Sequence, residues 1–255
     1  MMKAGGAETG LDRRLFALMV ILALPLVLLF AAVGPIPQTP AYHELADERS
    51  LYGVPNFFNV VSNATFLVVG AIALYLCSKR AVPGAVLSWK VFFVGVLLVT
   101  FGSAYYHLQP NDARLVWDRL PMTVAFTALF SALVAEHITS VTERTVLPLA
   151  LAVGISSVAW WHYWDDLRLY AWVQFGPLVA LLYLMCAYPA RYVHRGYLAL
   201  GFGCYATAKV LEHADAEIFS VTSGAVSGHT LKHVIAALAP LCVYLMLKAR
   251  SSAAP

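Results

Sequence analysis

A succession of long apolar runs constrains this chain more than any other feature. They lie at about Leu15–Val33, Phe57–Cys77, Ser88–His107, Arg119–Thr139, Thr145–Trp161, Tyr170–Tyr188, Gly196–His213 and His229–Lys248. Each runs for about 17–21 residues, the length an α-helix needs to cross a hydrocarbon core about 30 Å thick. Only 12% of the 255 residues are charged and 60% are hydrophobic, against about 25% charged in soluble domains. The expected class is therefore an all-α integral membrane protein. A β-barrel is disfavoured because the runs are continuous rather than alternating.

The first run follows Arg13 and Arg14 and stops at Pro35, Pro37 and Pro40. It is long for a signal-peptide core and reads as a retained span. The predicted organisation is a tail (1–14), an extra N-terminal transmembrane helix (15–33), a loop (34–55), a seven-helix core (56–248) and a second tail (249–255). Basic residues cluster at alternate connections: Lys3, Arg13 and Arg14; Lys79, Arg80 and Lys90; Arg191 and Arg195; Lys248 and Arg250. The opposite loops are acidic, with Glu44, Asp47 and Glu48, Asp165 and Asp166, and Asp215 and Glu217. The positive-inside rule then puts both termini in the cytoplasm and the acidic loops outside. The net charge of +3 has no basic run behind it, so nucleic acid is not an expected partner. Cys77, Cys186, Cys204 and Cys242 are isolated within apolar segments and read as small buried hydrophobes.

Polar residues gather at the outer ends of these helices. Asn59, Ser62 and Asn63 share a region of the first core helix and read as interhelical hydrogen bonders supporting a site. Ser103 and His107 are four residues apart on one helix face, as are His229 and His233. His107 ends an outward-going helix and His229 starts an inward-going one, so all three histidines reach the same membrane boundary. Three imidazoles with an open fourth position describe a catalytic zinc site with water as the fourth ligand. Asp118 is the candidate to take the water's proton and Ser103 the candidate to stabilise an oxyanion. Asp118 reads equally as a helix N-cap. The Lys209–Glu212 pair reads chiefly as a tie between helices, and Asp165–Arg168 as a hydrated loop. Lys232 is expected to point away from the face shared by His229 and His233. Trp117 reads as an interfacial anchor. His43, His137, His162 and His194 have no partner at metal spacing.

These residues resemble the alkaline ceramidase family, within the CREST superfamily of seven-helix membrane hydrolases that also includes the adiponectin receptors. The resemblance spans about residues 56–248. It rests on Phe58-Asn59-Val60-Val61-Ser62-Asn63, Ser103 with His107, Asp118 eleven residues on, and His229 with His233. The stretches Leu108–Leu120 and Ser227–His233 resemble bacterial members especially, which implies a bacterial plasma membrane. The family implies zinc held by His107, His229 and His233, with Asp118 and Ser103 as catalytic residues. The implied reaction is hydrolysis of the N-acyl amide of a ceramide-like lipid drawn from the bilayer. Eukaryotic members carry an acidic Asp-Trp-x-Glu-x-Asn calcium motif and a Glu at the start of the first core helix. Here the loop reads Tyr42-His43-Glu44-Leu45-Ala46-Asp47-Glu48-Arg49 and Asn56 takes the Glu position, so calcium is not carried over. A lipid esterase would use the same tetrahedral chemistry. A receptor-like or scaffold protein with structural zinc is the alternative of another class. A transporter is less favoured because no inverted repeat is evident.

Overall fold

The structure is a computed structural model describing residues 5–79, 82–139, 142–188 and 195–253. Helices dominate the chain. They are α1 (Gly5–Ala32), α2 (Phe57–Val61), α3 (Ala64–Lys79), α4 (Val86–Leu108), α5 (Asp112–His137), α6 (Glu143–Trp164), α7 (Arg168–Ala187), α8 (Arg195–His213), α9 (Asp215–Val221) and α10 (Gly228–Ala253). Among the described residues, seven helical segments are long and apolar enough to cross a membrane. The protein is an all-α, multi-pass integral membrane protein. The eighth expected segment is α8, which is less apolar because Lys209 and Glu212 sit near its end and line an internal cavity. Lys3, Arg80, Arg191 and His194 lie outside the described residues.

Helix α5 is the hub and packs against α4, α6 and α7, while α10 packs against α8 and α3. Helix α1 lies outside this bundle against α7. Phe16, Met19, Val27 and Leu28 of α1 are exposed, as suits lipid contact. Trp172 Nε1 donates to Leu22 O, and Arg168 Nη1 to Val33 O.

The first core span is not one helix as expected, since α2 and α3 are separated by Ser62 and Asn63. The cause is local competition for the Asn59 carbonyl, which accepts from Asn63 Nδ2 at 2.8 Å and Ser62 Oγ at 3.2 Å. Side chains thus replace the backbone amide that would have continued the ladder. The connection between α8 and α10 carries the unanticipated helix α9.

The loop before α2 closes over one end of the bundle, hereafter the site end. His43 bridges Tyr106 Oη at 3.0 Å and Asp112 Oδ1 at 3.1 Å, and Ala46 N donates to Asp215 Oδ2. Of the hydrated loop expected at 165–168, Asp165 is exposed but Asp166 and Arg168 are buried. Asp166 is buried and accepts from Arg168 Nε and Nη2, Trp160 Nε1 and the Ile36 amide. Hydrogen bonds from Arg168 hold its carboxyl well below the ordinary carboxylate range, against the effect of burial. Exposed Trp117, Tyr105, Tyr163 and Trp164 ring this end, consistent with an interfacial aromatic belt.

Candidate metal centre

Two glycines bring α4 and α5 into register. A Cβ on Gly102 would stand 1.9 Å from the Trp117 carbonyl oxygen, and one on Gly95 would stand 2.8 Å from Ala125 N. The helix backbones therefore touch at two points on one face of α4, and Ser103 is set beside Asp118. Both side chains are buried and line the same cavity. Asp118 is not the N-cap. Helix α5 begins six residues earlier, where Asn111 accepts from Arg114 N at 3.0 Å. Asp118 is instead a carboxylate projecting from the interior of a helix, where no capping role explains it.

The start of α10 is fixed as tightly. Ser227 Oγ caps it by accepting from Thr230 N at 3.1 Å, and Asp215 Oδ1 accepts from His229 N at 2.6 Å. A Cβ on Gly228 would come within 2.2 Å of Leu211 O, so α10 begins pressed against the end of α8. His229 and His233 then face His107 across the bundle. Ring centroids are 4.7 Å apart for His107–His229, 4.9 Å for His107–His233 and 5.0 Å for His229–His233. All three residues are buried, and each offers a nitrogen within 4.8 Å of the other two.

Hydrogen bonding determines which nitrogen of His233 is free. The Ser62 hydroxyl has one proton and lies 3.2 Å from Asn59 O and 2.8 Å from His233 Nδ1. The assignment that satisfies both contacts has Ser62 donating to the carbonyl, which can only accept, and accepting from Nδ1–H. That leaves a lone pair on His233 Nε2, which is buried with no hydrogen-bond partner. His107 Nδ1 is likewise buried and unpartnered. His107 Nε2 and His229 Nε2 are 3.2 Å apart. Two nitrogens at ~2.0–2.1 Å from one tetrahedral zinc ion would be about 3.3 Å apart. Three buried imidazoles with converging nitrogens and an orphaned lone pair on His233 fit a metal ion once the Lys232 ammonium, 3.1 Å from His229 Nε2, gives up that nitrogen. Among the described residues, no other cluster of metal-ligating side chains meets these terms.

A cavity opens from this cluster into the bundle. Ser103, Asp118, His233, Lys209, Glu212 and Lys232 form its polar end; Phe92, Val96, Leu181, Leu198 and Val243 are among its apolar lining. Lys232 does not point away as its register suggested. Its ammonium lies 3.0 Å from Glu212 Oε1 and 3.1 Å from His229 Nε2. The four-carbon stem folds back one turn along α10, drawn by the carboxylate on α8. Glu212 also pairs with Lys209 within α8, so the Lys209–Glu212 pair lines the cavity and is not the expected tie between helices, which Glu212 makes instead to Lys232 of α10. The presence of both charges on one face of a membrane-length segment was the available signal.

Near Asp118, the loop and three helices enclose Arg119. Its guanidinium stacks 4.0 Å over Trp161 and 4.6 Å over Tyr170, and donates to Gln38 Oε1. No sequence spacing marked this contact. Where the calcium motif is absent, Asp47 is buried and receives the Arg49 side chain at 2.6 and 2.8 Å. Burial would raise its carboxyl, but the Arg49 bonds outweigh burial and hold it below the ordinary range. A guanidinium thus neutralises that carboxylate.

The fold and site define a multi-pass helical membrane protein with a buried three-histidine cluster at the polar end of an apolar cavity. A sequence profile described as Ceramidase matches residues 50–222, and the chain belongs to that family. No curated protein matches it significantly. The matched segment includes Ser103, His107 and Asp118 and ends before His229 and His233. It is narrower at its C-terminal end than the resemblance over 56–248; the last two histidines join the site through the packing of α10.

Proposed function

We propose that the protein is a zinc-dependent amidohydrolase that cleaves the N-acyl amide of a ceramide-like membrane lipid. The observation that carries this reading is a buried three-histidine cluster next to an unexplained carboxylate at the head of an apolar cavity. His107, His229 and His233 would hold the ion, and their all-imidazole donor set suits zinc. Zinc bound there supplies Lewis acidity that polarises a carbonyl and brings water toward ionisation near neutral pH.

The chain's own residues provide the rest. The apolar lining receives the acyl chain and brings its carbonyl to the polar end. Asp118 accepts the proton of the attacking water and delivers it to the departing amine nitrogen. Ser103 donates its hydroxyl proton to the carbonyl oxygen as negative charge grows. Ser62 fixes the ring of His233, and Thr230 Oγ1 donates to Asn59 Oδ1 to hold α2 against α10. The membrane setting and positive-inside bias support cytoplasmic termini and a site facing outward from a bacterial plasma membrane, with α1 as an added span on the 56–248 core.

The test is a screen of N-acyl and O-acyl lipids with wild type and His107→Ala, products being read by mass spectrometry. Amide cleavage by wild type alone supports the proposal. Ester cleavage alone would make the site an esterase, and no cleavage by metal-loaded protein would favour a receptor-like role.

A further inference from the structure

The polar end of the cavity carries a charge pattern that hydrolysis of a neutral amide does not require. Lys209 and Lys232 both pair with the single carboxylate of Glu212. Two ammoniums therefore share one carboxylate where α8 meets α10, which makes that side of the chamber locally positive although the lining as a whole, with Asp118 on α5, is balanced. The other acid in the lining is Asp118, which makes no ion pair among the described residues and faces Ser103 across the cavity from α8. Lys209 is the more accessible ammonium, with its side chain 38% exposed against 16% for Lys232.

The cavity also has a direction. Phe92, Val96, Val99 and Ser103 line it along one face of α4, a path of about 16 Å at 1.5 Å per residue. His233, Ala236, Pro240 and Val243 form a matching stripe on α10. An acyl chain lying along these stripes places its carbonyl by Ser103 and His233. The amine half must then leave toward Lys209 and Lys232. As it covers the mouth, water is expelled from Lys209, and an ammonium losing water is costly when the anion beside it, Glu212, is shared with a second ammonium.

We infer that the preferred substrate is an N-acyl amide whose amine half carries an acidic group, a carboxylate or phosphate, seated against Lys209 and Lys232. This rests on the hydrolase reading above and goes beyond it, because a ceramide headgroup offers only hydroxyls. The reaction balances as amide plus water giving a fatty acid and an amine that retains the acidic group. The C–N bond breaks, a C–O bond forms, and one water proton passes to the amine.

Three amides sharing a palmitoyl chain test the inference. They are N-palmitoylglycine, N-palmitoyl-O-phosphoethanolamine and the neutral N-palmitoylethanolamine. Wild type should favour at least one acidic amide by about tenfold or more in kcat/KM. Lys209→Gln should bring that ratio toward parity and Lys209→Glu should invert it. The favoured member identifies carboxylate or phosphate. Equal or better cleavage of the neutral amide, with a ratio indifferent to Lys209, overturns the inference and leaves the hydrolase reading standing. Binding to Asp118→Asn protein, followed by thermal shift in detergent, reads the preference without turnover. A larger shift with acidic amides that vanishes in the Lys209→Gln, Asp118→Asn double variant supports the inference even if no amide is cleaved. Equal shifts overturn it.

Discussion

The two ends of the helical bundle both bury charged or strongly polar side chains, yet they leave different accounts of them. At the end opposite the site, Glu136 and Arg250 are both buried and pair at 2.7 Å. Glu136 Oε1 also accepts from Trp89 Nε1 at 2.7 Å and from Ala85 N at 3.3 Å. Gly84 covers it at φ +107, where a Cβ would stand 2.2 Å from that oxygen. This cluster is closed: one helix end, one loop and two neighbouring helices converge on one carboxylate. At the site end, by contrast, His107 and His233 retain buried nitrogens with no partner, and Asp118 lines an open cavity. Burial is common to both ends. Single unmatched atoms also occur elsewhere, Tyr188 Oη at the opposite end among them; what distinguishes the site is that its unmatched nitrogens belong to a set of three converging imidazoles, because leaving a buried polar atom unmatched costs about 1–3 kcal/mol.

Substitutions at the two ends should have opposite consequences. Asp118→Asn should lower turnover by about 10²–10⁴-fold, the usual worth of a general base, while zinc content and melting temperature stay near wild type. Unaltered turnover would remove Asp118 from the chemistry. Glu136→Ala should do the reverse. Leaving Arg250 buried without its carboxylate should cost about 3–5 kcal/mol of stability, read as a lowered melting temperature, with zinc stoichiometry retained in the protein that folds. Zinc loss in a folded Glu136→Ala protein would contradict the separation of the two ends.

Smaller effects sharpen the site itself. Ser62→Ala removes the hydroxyl that orients His233 and should weaken zinc binding by about 10–100-fold, measured by chelator competition. The loop covering the site should respond to acid through Asp166 and Asp47. Hydrogen bonds hold both carboxyls below their ordinary values, Asp47 doing so against its burial. Their contribution is complete above the unfolded carboxylate value of about 3.9. It is lost as pH falls below that value through the lower folded ones. Proteolysis of residues 34–55 should therefore be constant from neutral pH to about pH 5 and rise below about pH 4. An onset near neutrality would point to other groups.

The periodic signals and the tertiary ones were not equally legible in the sequence. Long apolar runs located α4, α5, α7 and α10 to within a few residues or about two turns, because lipid imposes both length and composition. The i, i+4 spacing placed His229 and His233 on one face, and helix direction brought His107 to the same depth. The break at Ser62 and Asn63 was hidden, because hydropathy does not register side chains competing for one carbonyl. Asp118 looked like a cap because Arg114 and Asp112 concealed an earlier helix start at Asn111. Lys232 was misdirected by register alone, since a flexible stem follows the nearest carboxylate, Glu212, which lies on another helix. The Arg119 stack depends on Trp161 and Tyr170 from two further helices, and no local pattern could reveal it.

The proposed chemistry stands on three histidines from α4 and α10 holding one metal ion. Its most direct test is metal analysis of detergent-purified protein by plasma mass spectrometry, comparing wild type with folded His107→Ala and His233→Ala variants after equal exposure to zinc. The account predicts close to one zinc per wild-type chain and almost none in either variant. A wild type that binds no zinc, or variants that bind as much as wild type, would contradict it.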